Sequence, residues 1–235
     1  MTLEARVQAL DLERAGADLD AQGFATFERL LGAGECRALV ALYGDAERFR
    51  KRVVMAQHGF GEGEYQYFGY PLPEVVAELR SLLYERLAPL ANRWSDALGS
   101  EVRYPPHLAG YLARCHRAGQ KRPTPLMLKY EAGDYNCLHQ DLYGEHVFPL
   151  QLTVLLSQPG QDFTGGEFVL TEQRPRMQSR AAVVPLGRGD AVLFAVRERP
   201  VQGKRGFYKV QMRHGVSRLR SGRRHTLGII FHDAK

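Results

Sequence analysis

The chain has 235 residues, 44% of them hydrophobic and 25% charged, with a formal net charge of +6; that length can bury the core of a single domain, and the composition is globular rather than disordered or fibrous. No apolar run approaches membrane-spanning length, and the opening MTLEARVQALDLER carries charge throughout, without a signal-peptide apolar stretch. The three cysteines, Cys36, Cys115 and Cys137, form no CxxC, which argues against a disulfide framework or a structural zinc site and suits a reducing cytoplasm, while the basic balance favours acidic partners, nucleic acid among them.

The predicted elements begin with helices, so residues 1 to about 100 read as a helical support region and about 101–235 as the core of the same domain. Leu39, Val40, Leu42 and Tyr43 follow Gly34-Glu35-Cys36 with helical spacing. A longer stripe runs through Val75, Val76, Leu79, Leu82, Leu83, Leu87, Leu90 and Trp94, and Pro89 should kink or split that helix. Between them, His58 to Tyr70 is rich in Gly and Tyr and reads as a loop or short hairpin. Its aromatics, Tyr65, Tyr67, Phe68 and Tyr70, could form a lid, but packing against the core is the favoured role.

From about residue 124 the hydrophobic period becomes two. Leu126, Leu128 and Tyr130 alternate with Met127 and Lys129, and Leu150, Leu152, Val154 and Leu156 alternate with Gln151 and Thr153. Further short runs follow at 165–170, 181–184, 191–196, 208–214 and 224–231. Strands at this density, separated by turn signals, predict a sandwich or jelly roll packed against the preceding helices.

Within this region His139-Gln140-Asp141 places an imidazole and a carboxylate two residues apart, on one face of a strand. His214 lies in phase with Tyr208, Val210 and Met212 and should also face inward. Two histidines and one carboxylate suit a non-haem iron that keeps coordination positions open. Arg224, ten residues after His214, is in phase with Thr226, Gly228 and Ile230, whereas Arg223 should point outward. A guanidinium inside a barrel needs an anion, and a dicarboxylate would supply one through a two-pronged bond.

These stretches resemble the Fe(II)/2-oxoglutarate-dependent dioxygenase superfamily, especially its prolyl-4-hydroxylase-like branch. The resemblance runs from Gln22-Gly23-Phe24 and Leu30 to Cys36, through Leu128 to Glu131, His139 to Asp141, Gln151 to Leu156, Gly165-Gly166-Glu167 and Pro185 to Phe194, to His214 through Phe231. It implies an α+β protein with a double-stranded β-helix core, cupin-like and buttressed by N-terminal helices. It makes His139, Asp141 and His214 the iron ligands, Arg224 the partner of the distal carboxylate of 2-oxoglutarate, and Tyr130 a lining residue of the cosubstrate pocket. The cofactors implied are Fe(II), 2-oxoglutarate and O₂, with ascorbate as a candidate reductant. The reaction implied is hydroxylation of a C–H bond, coupled to conversion of 2-oxoglutarate to succinate and CO₂. Many prolyl hydroxylases carry lysine at the position of Arg224, which weakens a prolyl assignment without touching the chemistry.

The substrate is less legible. The chain also resembles a bacterial group of these oxygenases assigned to oxidative removal of alkyl damage from nucleic acid. Basic clusters at Lys121-Arg122, Arg174-Arg176-Arg180, Lys204-Arg205 and Arg218-Arg220 would track phosphates if they shared one rim. A proline or other protein side chain ranks nearly level, and a small metabolite third. Cys137 shares parity with His139, which could bring it near the metal, although a small apolar filler is its commoner role. A non-catalytic jelly-roll binding module, or a cupin-like metal enzyme that does without 2-oxoglutarate, completes the alternatives.

Overall fold

Strands and helices interleave over the first half of the chain before strands take over. In the computed structural model, which describes residues 1–235, the helices are α1 (Leu3–Gln8), α2 (Leu12–Gln22), α3 (Ala33–Leu42), α4 (Glu74–Ala97) and α5 (Leu108–Arg117). The strands are β1 (Phe24–Phe27), β2 (Phe49–Val54), β3 (Gly61–Glu62), β4 (Glu64–Phe68), β5 (Leu126–Glu131), β6 (Tyr135–His139) and β7 (Leu150–Leu155). They continue with β8 (Phe163–Gly165), β9 (Phe168–Gln173), β10 (Arg180–Val184), β11 (Ala191–Ala195), β12 (Glu198–Gly203), β13 (Gly206–Val216) and β14 (Leu219–Ile230). An eight-stranded sheet runs β1-β11-β7-β14-β5-β4-β2, with β8 beside β14. A six-stranded sheet runs β10-β9-β13-β6-β3, with β12 beside β13. The architecture is α+β with a jelly-roll core, as the sequence leads one to expect.

The large sheet is buried on both faces because it separates the helices from an internal cavity. On β7, Leu150, Leu152 and Val154 join a cluster with Leu79, Leu83, Tyr84, Leu87 and Trp94 of α4. Gln151 and Thr153, on the opposite face, line the cavity. On β14, Leu227 and Ile229 face the helices, while Arg224, Thr226 and Gly228 face the cavity. The period of two therefore sorts each strand into a helix-facing row and a site-facing row.

The first hundred residues depart from the helical reading. β1 pairs with β11 at one end of the large sheet, and β2 and β4 extend it beyond β5 at the other. These segments are short, β4 alternating polar with aromatic over only Glu64 to Tyr67, and the neighbouring strand supplies the packing that makes them strands. The segment His58 to Tyr70 accordingly holds β3 and β4 rather than a loop. Tyr67 and Phe68 are buried, in keeping with core packing, while Tyr65 lines the cavity. Pro89 does not split α4, which is one continuous helix of 24 residues. An interior proline costs about 3 kcal/mol, but each buried leucine returns about 1.5–3 kcal/mol, and α4 buries Leu79, Leu83 and Leu87 among others.

A buried ion cluster ties β9 to the helical layer. Arg199 is 0% exposed and donates from Nη2 to Glu172 Oε2 at 2.8 Å. Its guanidinium also donates to the backbone oxygens of Asp20 and Ala21 at the end of α2. Burial would raise the Glu172 carboxyl, but Arg199, Arg180 and Arg174 outweigh it and hold the pKa below the ordinary carboxylate value. The stability contributed by this depressed group is full above the unfolded-state pKa and is lost as pH falls through the lower folded-state value. Glu172→Gln should cost about 2 kcal/mol at neutral pH and flatten the acid limb of a stability-versus-pH profile. Urea unfolding at several pH values checks this, and an unchanged acid limb would argue against the cluster.

Candidate metal and cosubstrate site

β6 and β13 are antiparallel neighbours, and their register places His139 opposite His214. The two imidazole rings lie 4.2 Å apart between centroids. His139 is the last residue of β6 and Asp141 follows beyond the strand end, so the carboxylate comes from the turn rather than from the same strand as expected. It still converges: one ligand atom each from His139, Asp141 and His214 lie within 4.8 Å of one another. His139 Nε2 is 3.6 Å from Asp141 Oδ1, and His214 Nε2 is 3.4 Å from Asp141 Oδ2.

The surroundings orient these groups. His139 Nδ1 donates to the carbonyl oxygen of Cys137 at 2.8 Å, which leaves the Nε2 lone pair directed toward the cluster. Tyr143 donates its hydroxyl to Asp141 Oδ1 at 2.5 Å. Phe168 and Phe194 pack on the His214 ring at 5.9 and 4.6 Å. Burial alone would raise the Asp141 carboxyl, yet His214, His139 and the Tyr143 hydroxyl hold it well below the usual range. Burial and the neighbouring His139 lower the pKa of His214. An ionised Asp141 carboxylate and a neutral His214 imidazole are the protonation states a metal ion takes.

Arg224 and Tyr130 are cross-strand partners on β14 and β5. Arg224 is 2% exposed, and its Nε and Nη1 have no hydrogen-bond partner. Its guanidinium lies 5.6 Å from the Tyr130 ring centre and 5.9 Å from that of Phe163. Burial lowers its pKa to about 10, so it remains charged at neutral pH and calls for an anion. Gly166, at φ +62°, makes room for it, since a Cβ there would lie 3.1 Å from Arg224 Cδ and collide with Leu219. Arg223 points outward and pairs with Glu131.

One cavity of about 320 Å³ joins the two halves, its wall including His139, Asp141, His214, Tyr130 and Arg224. Leu126, Leu128 and Phe168 form an apolar part of it, and Phe60, 47% exposed, and Leu138, 43% exposed, border it where it meets solvent. Cys137 lines the cavity but is exposed, so it is no buried filler. Of the basic clusters, Arg174 and Arg180 pair with Glu172, and Arg218 lies over the Tyr135 ring and donates to the carbonyl oxygen of Gly133. Tyr143 escaped the sequence reading although it sits two residues beyond Asp141, the spacing that singled out the metal motif. Gln151, which the strand pattern shows only as a polar residue alternating with Leu150 and Leu152, lines the cavity with a buried Oε1 that lacks a partner.

Comparison with known proteins agrees with this architecture. Residues 63–234 match the Oxygenase-NA family, described as an oxygenase catalysing oxidative methylation of damaged DNA, and the chain belongs to that family. It is 52% identical over 167 residues to an uncharacterized protein of Mycobacterium tuberculosis, covering 71% of this chain and 72% of that one. A prolyl-4-hydroxylase from Pseudomonas putida shares the fold with a TM-score of 0.51 at 17% identity, over 100% of both chains. A 2OG-Fe(II) oxygenase family oxidoreductase from Burkholderia pseudomallei gives 0.54 at 15% identity, over 96% of this chain and 93% of that one. By its family the protein is therefore an enzyme, an oxygenase, and the binding-module reading is set aside. No helix is long and apolar enough to cross a membrane.

Proposed function

We propose that His139, Asp141 and His214 hold Fe(II), that Arg224 and Tyr130 receive the distal carboxylate of 2-oxoglutarate, and that the enzyme hydroxylates an alkyl group on a damaged DNA base. The observation that carries the cofactor assignment is a single cavity bordered by both an N/O ligand cluster and a buried, unpaired guanidinium. When bound, the iron and 2-oxoglutarate supply O₂ activation, with 2-oxoglutarate converted to succinate and CO₂. The chain's own residues do the rest. The Cys137 carbonyl fixes the His139 ring, and Tyr143 engages Asp141 Oδ1 and leaves Oδ2 for the metal. Leu126, Leu128 and Phe168 limit water around the reacting groups.

For the substrate, support comes from family membership, from the net charge of +6, and from Phe60 and Leu138 at the rim, apolar surfaces against which an extruded base can stack. Hydroxylating a methyl group on a ring nitrogen gives a hydroxymethyl group that leaves as formaldehyde, so this oxidation removes the methyl. Ascorbate, as a reductant that keeps iron ferrous, belongs to the same proposal. So does a cytoplasmic location, with which three unpaired cysteines accord.

The test is an anaerobic titration with Fe(II) and 2-oxoglutarate, followed through the visible iron-to-cosubstrate charge-transfer band, and then assay of methylated oligonucleotides for formaldehyde. A well-folded protein that gives no band contradicts the cofactor assignment. A band without formaldehyde release contradicts the substrate alone and turns attention to peptides. Tyr143→Phe should weaken Fe(II) binding by roughly 10–100-fold while unfolding at nearly the same urea concentration. Unaltered metal affinity would mean that the hydroxyl does not position Asp141.

A further inference from the structure

At the β2 edge of the large sheet, the cations Arg50, Lys51, Lys121 and Arg122 have no carboxylate within 4.0 Å, unlike Arg52 and Arg48, which pair with Glu64 and Asp45. They come from two separate stretches of chain, residues 50–51 and 121–122, that meet at Arg50 and Pro123. Arg50 donates from Nε to the carbonyl oxygen of Pro123 at 2.8 Å, which docks β2 against the segment leading into β5. Burial lowers the pKa of Arg50, and the charge of Arg122 lowers it further despite the nearby Tyr67, the mark of two guanidiniums in one neighbourhood.

The cluster adjoins the cavity. Register aligns Gly228 with Leu126, Leu126 with Tyr67, and Tyr67 with Lys51, one row across four strands. Strands are spaced about 4.8 Å apart, so the Lys51 backbone lies about 10 Å from that of Leu126, which lines the cavity. Arg50 stands over the Tyr67 ring at 4.6 Å. Tyr67 in turn touches Tyr65 and Tyr143, at 5.4 and 6.1 Å between centroids, both in the cavity wall. The register shift between Phe49 and Lys51 interrupts the alternation of β2, so that Arg50 and Lys51 both sit beside Tyr67. None of these four cations lines the cavity itself, and neither do Arg176, Lys204 and Arg205, but only the four are tied to its wall through Tyr67 and the β2-β4-β5 register.

We propose that Arg50, Lys51, Lys121 and Arg122 form the phosphate-binding track for the nucleotides that flank the base in the cavity, making single-stranded DNA, rather than a free nucleoside, the preferred substrate. This rests on the nucleic-acid reading above. An unpaired cation cluster beside an apolar opening is what a single strand needs: charge for the backbone and flat surfaces for the bases. Lysine on an edge strand also discourages sheet-to-sheet association, and the experiment separates the two roles.

Full-length protein is titrated into a fluorescein-labelled oligodeoxythymidylate of about 12 nucleotides, long enough for one such site, at several salt concentrations. The variant K51E/K121E/R122E is compared with R176E/K204E/R205E, which changes net charge equally. The track variant should bind about tenfold or more weakly and lose about 2 from the slope of log affinity against log salt, since each phosphate contact contributes roughly 0.7 for a single strand. The control variant should stay near wild type. Lys51→Ala and Arg122→Ala, milder changes, should each remove about 0.7, and 2-oxoglutarate consumption without DNA should be unchanged in all of them. Equal loss in both triple variants, or no loss in the track variant, overturns the track while leaving the nucleic-acid reading in place. A wild-type protein that binds no oligonucleotide at low salt overturns both.

Discussion

Asp141→Ala is expected to reduce substrate-dependent formation of succinate by roughly 1000-fold or more, beyond the 10–100-fold typical of losing a ligand's hydrogen-bond partner. Asp141 is the only carboxylate among the three clustered groups, and its loss removes both an anionic ligand and the partner of His139 and His214. The remaining imidazoles lie with ring centroids 4.2 Å apart and offer a divalent ion no compensating charge. The charge-transfer band should disappear with activity, while the fold survives. Removing a buried carboxylate also frees the Tyr143 hydroxyl, so a small stability change is expected, and thermal unfolding of the apo-protein measures it separately. Normal succinate formation by this variant would remove His139, Asp141 and His214 from the metal role.

Arg224→Ala is expected to raise the 2-oxoglutarate concentration needed for half-saturation by about 100-fold, corresponding to about 3 kcal/mol, within the range for truncating one partner of a buried charge pair. The reason is geometric. Arg224 presents two buried donors without partners, and the loss of an anion's charge-assisted bonds leaves Tyr130 alone at that end of the cavity. Fe(II) affinity should not change, because Arg224 belongs to β14 and the metal cluster to β6, β13 and the turn after β6. That split between cosubstrate and metal binding distinguishes a carboxylate partner from a residue that merely supports the fold. Arg224→Lys should recover part of the loss by restoring charge without the planar fork. Unaltered dependence on 2-oxoglutarate in Arg224→Ala would favour a metal enzyme that does not use it.

The sequence by itself determined which way the strand residues face, because that depends on local rules, while the reaction class came from the resemblance of its motifs to a known family. Side-chain alternation along a strand placed Arg224 inward and Arg223 outward, and the same parity placed His214 with Val210 and Met212. The imidazoles of His139 and His214 and the carboxylate of Asp141, the donor set we propose for the metal, were legible as residue types before any fold was known. What only the tertiary structure decided were features whose energy lies between distant segments. β4 is a strand because β5 offers it an edge, and β2 because β4 does; α4 runs through Pro89 because its buried face outweighs the lost hydrogen bond. Tyr143 gains its role from a hydroxyl contact made beyond the end of β6, where strand parity no longer guides the eye. The cations at Arg50, Lys51, Lys121 and Arg122 are two unrelated stretches of sequence until the Arg50–Pro123 hydrogen bond brings them together, and no local pattern encodes that meeting.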